Sequence, residues 1–183
     1  MKYCLLLALS VGIAGAAQPS DTVIKVTDEI SYVIPRGSPV RYERTGEFYT
    51  VEYKGNFPLT GHYSYGYVTD NPADDATYGE LELLFTVSPA SAARLPYWQR
   101  DRPVREIYIR NPDRFVQIVV GPYNLEKLRR HEIKQINGVI TIVVDKFETS
   151  IDCDHQTSSA EFVSVHGKPD RKVASVVAGG ITC

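Results

Sequence analysis

The strongest constraint on this chain is a period-two alternation of apolar and polar side chains that returns in segment after segment. Successive side chains of a strand point to opposite faces, so such alternation marks sheet with one face in a core. T-V-I-K-V (22–26) and E-I-S-Y-V-I-P (29–35) read as two short strands, ended by the turn residues P-R-G-S-P. E-F-Y-T-V-E-Y-K (47–54) sets Phe48, Thr50 and Glu52 against Tyr49, Val51 and Tyr53. The stretch from Asn56 to Val68 places Tyr63, Tyr65 and Tyr67 on one face. E-L-E-L-L-F-T-V (80–87) turns Leu81, Leu83 and Phe85 inward and Glu80 and Glu82 outward. Further strands are expected over R-E-I-Y-I-R (105–110), the run 138–153, S-A-E-F-V-S-V (159–165) and K-V-A-S-V-V (172–177).

Two stretches break the pattern. Ser88-Pro89 supplies an N-cap followed by proline at the first helical position, opening a short helix that Pro96 ends. Asn111-Pro112-Asp113 repeats this start signal. Beyond it, a helix over about 123–131 has Leu125 and Leu128 on one face and Glu126 within reach of Arg129 and Arg130. A mainly β, single-domain fold follows, with one helix between the third and fourth of five central strands and a second short helix. That order suits an OB-like, partly open Greek-key barrel; a β-sandwich is the alternative. The expected layout is N-terminal strands over 18–54, an OB-like core over 55–166, and a C-terminal strand with a staple over 167–183.

The N-terminus carries Lys2, an apolar run from Leu5 to Ala14 and small residues at 14–17, the pattern of a cleaved secretory signal over residues 1–17. The run falls short of the roughly 20 apolar residues that span a bilayer, and no other segment approaches that length. The expected location is therefore exported, periplasmic or extracellular, with no membrane span. The formal net charge is −2, and loss of the leader's lysine lowers it by one unit. A mildly acidic chain lacks the basic face that nucleic acid requires, so no nucleic-acid partner is expected.

The segment I-D-C-D-H (151–155) looks chemical, but metal ligands usually come at spacings such as C-x-x-C, and the four histidines show no paired spacing. No metal, cofactor or catalytic residue is assigned. With Cys4 removed in the leader, Cys153 and Cys183 remain, and an even count in an exported chain favours a disulfide. Such a staple contributes about 3–4 kcal/mol in the chain-entropy view. The acidic loop from Asp70 to Glu80 lacks EF-hand spacing and reads as a solvated hairpin loop.

Two groups remain as binding candidates. Tyr63, Tyr65 and Tyr67 form a row that either stacks on a ligand or simply covers half-buried sheet. In R-L-P-Y-W-Q-R-D-R-P-V-R (94–105), Tyr97 and the sole tryptophan, Trp98, stand among Arg94, Arg100, Arg102 and Arg105. Trp, Tyr and Arg dominate binding hot spots, although a lone tryptophan also plugs cores. No G-x-S-x-G elbow or phosphate loop occurs. The expected function is a non-enzymatic binding module docking a protein partner in the cell envelope, as an inhibitor or immunity-type protein does. The alternatives are an envelope hydrolase acting on a glycan or peptide through His62 or His155, and a structural domain of an envelope assembly. Intact mass of the exported chain is expected to lie two hydrogens below the reduced value. Alkylation of both thiols without reductant would remove the staple.

Overall fold

The computed structural model describes residues 20–68, 80–100, 103–152, 154–168 and 171–175. Among them the chain is mainly β, a single β-rich domain with two sheets and few helices. The strands are β1 (Thr22–Lys25), β2 (Ser31–Ile34), β3 (Arg41–Thr45), β4 (Val51–Lys54), β5 (Phe57–Val68), β6 (Glu80–Val87), β7 (Tyr97–Trp98), β8 (Tyr108–Ile109), β9 (Ile133–Asp152), β10 (His155–His166) and β11 (Lys172–Ser175). Helix α1 (Pro89–Ala92) follows β6, and α2 (Pro112–Phe115) continues as a π-helical turn over Val116–Val120 into α3 (Pro122–Arg129). Strands β1, β2 and β7 form a small sheet in that order, and the other eight belong to one larger sheet. The signal segment and both cysteines of the expected staple lie outside the described residues, as do Asp70–Asp75 of the acidic loop.

The larger sheet is organised around β9. One of its edges pairs antiparallel with β5 over Gln135–Val144 and with β4 at Glu148 and Thr149. The other edge pairs with β11 over Ile133–Asn137 and with β10 over Thr141–Asp152. Twenty residues of straight strand would run about 65 Å, so a compact domain requires β9 to bend. The bend sits at Lys146, whose φ is +47°. Between the pairs Glu148↔Ser159 and Asp145↔Glu161, β9 spends one residue more than β10, which is a β-bulge. An extra residue flips the side-chain phase. Buried positions run Ile136, Ile140, Ile142 and Val144 before the bulge, then Phe147 and Thr149 after it, so one face stays inward around the corner.

Helix α2 plugs the inside of this curved sheet. Phe115 is fully buried and meets Tyr63, Phe85 and Phe162 edge-on, at ring-centroid distances of 5.7, 6.5 and 5.3 Å. Ser88 caps α1 as expected, its hydroxyl accepting the Ser91 N–H. Asn111 does not cap α2. Its side chain instead donates to the Phe162 carbonyl (2.9 Å) and accepts the Phe162 N–H (2.8 Å), standing in for a neighbouring strand.

Several expected boundaries shift. The strand expected from Glu47 begins only at Val51, because Phe48 and Tyr49 both adopt positive φ (51° and 60°) in a turn closed by Thr50 N–H to the Glu47 carbonyl. β3 was not expected, being exposed on both faces. The run 138–153 extends back to Ile133; within I-D-C-D-H, Ile151 and Asp152 end β9, Asp154 takes φ +67° and His155 begins β10, while Cys153 lies outside the described residues. The third central strand shrinks to Tyr108–Ile109, which pairs parallel with β10. Just before it, the segment hydrogen-bonds to β6 through Val87 N–H to Arg105 O and Ile107 N–H to Phe85 O. The sheet curls toward itself there and does not close.

Burial pushes the Tyr53 phenol far up and that of Tyr32 up to about 12, from the usual 10. The folded state then holds protons that the unfolded chain has released, so the stabilisation is complete below pH 10 and is lost as pH rises toward 12. Urea midpoints are expected to fall across that window, and less steeply in Tyr32→Phe; a flat profile would contradict it.

Candidate functional site: an open cleft at the sheet seam

The row of tyrosines on β5 faces the core. Tyr63 is wholly buried against Phe115, and Tyr65 is buried enough that its phenol is pushed up by desolvation. Tyr67 stacks on His131 at 5.0 Å, in the turn between α3 and β9. Gly61, between Leu59 and Tyr63 on the same face, is required: a Cβ there would meet Thr86 O at 2.5 Å and the Phe85 ring at 2.6 Å. Buried rings have no face to offer a ligand, so the stacking reading gives way to sheet coverage at Tyr63 and Tyr65.

The 94–105 segment resolves in a similar way. Tyr97 and Trp98 form β7, paired with Val33 and Tyr32 of β2, and both side chains are buried. Trp98 is the core plug, wedged where the small sheet meets β10, and its backbone N–H donates to Gln156 Oε1. Its Nε1 is buried and finds no hydrogen-bond partner among the described residues. The arginines do not converge. Arg94 reaches the Gly37 carbonyl at 3.5 Å, Arg100 lies over the Trp98 ring at 5.9 Å, and Arg105 faces a different cavity; Arg102 lies outside the described residues.

That cavity is a cleft of about 630 Å³ at the open seam. Leu83 and Leu84 of β6 form one wall, the segment Pro103–Tyr108 crosses it, and His155–Ser158 of β10 form the other wall. It exists because the crossing segment bonds to the C-terminal end of β6 and then leaves for β10, so the N-terminal half of β6 lacks a second strand among the described residues. Leu84 and Tyr108 stand on the rim, 47% and 65% exposed. Arg105 and Glu106 supply both signs of charge. Gln156 braces the cleft from behind, its Nε2 donating to Ser158 Oγ (3.1 Å) and Pro96 O (3.4 Å).

A second hollow, across β4, β9 and β10, is lined by charge. Three of its five carboxylates are held in ion pairs: Glu52 with Arg44 (2.7 Å), Glu148 with Arg110 (2.5 Å) and Glu161 with Lys146 (2.9 Å). Arg44 and Lys146 hold Glu52 and Glu161 below the usual carboxylate range. A glycosidase acid needs the opposite shift, so these pairs suit a solvated face rather than acid catalysis. Among the described residues no group of three His, Cys, Asp or Glu could hold a metal ion, and no helix is long and apolar enough to cross a membrane.

Comparison with protein-family models, with characterised proteins and with solved structures gives no match to this chain.

Removing the buried tryptophan should act on folding. Trp98→Ala is expected to lower stability by about 3–5 kcal/mol in urea unfolding, while Arg100→Ala stays near the parent. Parent-like stability of Trp98→Ala would mean that the ring is not the plug described.

Proposed function

We propose that this chain is an exported binding module that docks a protein partner in the cell envelope, as an inhibitor or immunity-type protein does, and that the seam cleft is its docking site. The observation that carries this reading is the cleft's composition. A large aliphatic and a large aromatic side chain, Leu84 and Tyr108, stand exposed on the rim of a concave site with charged groups of both signs. Exposed aromatic anchors beside polar groups are what protein interfaces use, and a cleft of this size suits a few inserted side chains.

The strand pairing supports an OB-like arrangement for the core. β5 pairs with β6 and β9, β9 with β10, and β10 with β8 in parallel, with the helical stretch between β8 and β9. In OB-type barrels the second and third strands and the loop between the fourth and fifth carry the ligand. The cleft lies on the counterparts of those elements, β6, the segment before β8, and the start of β10 beyond the β9–β10 turn. A hydrolase reading is kept open by one observation, that His155 and Glu106 share the cleft.

A photo-crosslinking residue placed at Tyr108 or at Leu84 is expected to trap one protein. The same residue at Tyr123, exposed on α3 outside the cleft, is expected to trap none. Equal adducts from all three positions, or no protein adduct, would count against docking at the cleft. Turnover of peptidoglycan fragments that is lost in His155→Ala would favour the hydrolase instead.

A further inference from the structure

We infer that the partner enters the seam as an added β-strand, a cationic extended segment that pairs with the open edge of β6. This rests on the docking reading above and specifies its chemistry. The direction of the β6 backbone groups carries it. Phe85 O and Val87 N–H point away from β5, to the crossing segment. Backbone groups alternate sides along a strand, so Leu81 and Leu83 turn their N–H and C=O the same way. There no strand among the described residues pairs with them, and Leu83 lies on the cleft wall.

Exposed edges of this kind template a further strand, and proteins that avoid it place charge along them. β6 carries one sign only. Glu80, Glu82 and Leu84 follow one another on its outer face, all exposed. Two copies of this edge brought together would confront glutamates with glutamates, which opposes self-pairing. A foreign strand with Lys or Arg opposite Glu82 and Glu80 gains from the same pattern. One apolar residue farther along it would rest on Leu84 and Tyr108. The edge thus selects an alternating segment in which cations precede or follow an apolar anchor, the mode known as β-augmentation.

The probe is a short synthetic peptide alternating lysine and threonine and ending in leucine, offered to the whole exported protein. Its counterparts carry glutamate for lysine, or N-methyl groups on alternate amides. The lysine peptide is expected to slow hydrogen exchange at the Leu81 and Leu83 amides, and the two counterparts are not. Leu83→Pro removes an N–H that points away from β5, so the fold should survive while affinity drops by at least about tenfold. Glu82→Lys leaves the backbone intact and should weaken binding as well, whether or not the proline variant folds. Folded Leu83→Pro binding the peptide like the parent, unprotected Leu81 and Leu83 amides, or a peptide-free dimer through those amides would overturn strand addition. If the Tyr108 crosslink to a protein persists in Leu83→Pro, docking at the cleft stands and only the strand mode fails; if no crosslink forms even in the parent, the docking reading fails with it.

Discussion

The bulge at Lys146 decides more of this structure than any other single feature. β9 is hydrogen-bonded along both edges, so every strand of the larger sheet inherits its position from β9 or from a strand paired with it. An unbroken strand of that length would carry β4 and β5 away from each other along a nearly straight ladder. The extra residue bends β9 and keeps Ile140, Ile142 and Val144 on the same inner face as Phe147 and Thr149. Lys146 is held in its unusual conformation from both sides: its N–H donates to Asp145 Oδ1 and its carbonyl accepts from Arg110. Arg110 also pairs with Glu148, so the charged hollow outside the sheet braces the corner that shapes the inside.

The open seam is a consequence of the same curvature. A curled sheet brings β6 and β10 near each other, but only a short segment spans them. Among the described residues that segment offers β6 two backbone bonds, at Arg105 and Ile107, before it turns to β10. The result is a concavity between Leu83 and Leu84 of β6 and His155–Ser158 of β10. Gln156 keeps the gap from collapsing by tying β10 to β7 behind it.

Much of this was legible in the sequence. The alternation from Glu80 to Val87 gave the inward set Leu81, Leu83 and Phe85, and the helical stretch falls between the strands where its prolines put it, although Asn111 does not cap it. The phase change in β9 was also written there, as the inward residues switch from even to odd numbers across Asp145-Lys146, a signal the uniform reading of one long strand passed over. β3 was not legible, because R-Y-E-R-T is solvated on both faces and has no alternation. Neither was the Phe48-Tyr49 turn, since two aromatic residues with positive φ resemble strand composition and not the Asn-Gly of ordinary hairpins. The candidate site was hidden for a different reason. Its walls come from positions near 83, 105 and 156, so no local motif exists. Trp98 and its arginines had hot-spot composition, but composition does not report which way a ring faces.

The place of β9 in the chain also sets an order of events. β4 and β5 form their ladders with residues that follow them by about seventy to a hundred positions, from Gly66↔Gln135 to Val51↔Thr149. Before residues 133–152 are made, β3–β4 and β5–β6 can form only as isolated hairpins, which are marginal in water, beside the small sheet of β1, β2 and β7. Non-local pairing of this kind is slow, because the entropy of closing the loop comes before any contact rewards it. A nascent chain of this design therefore cannot complete its larger sheet until residues 133–152 have been synthesised. The strand that unites that sheet acts as a timer on its assembly.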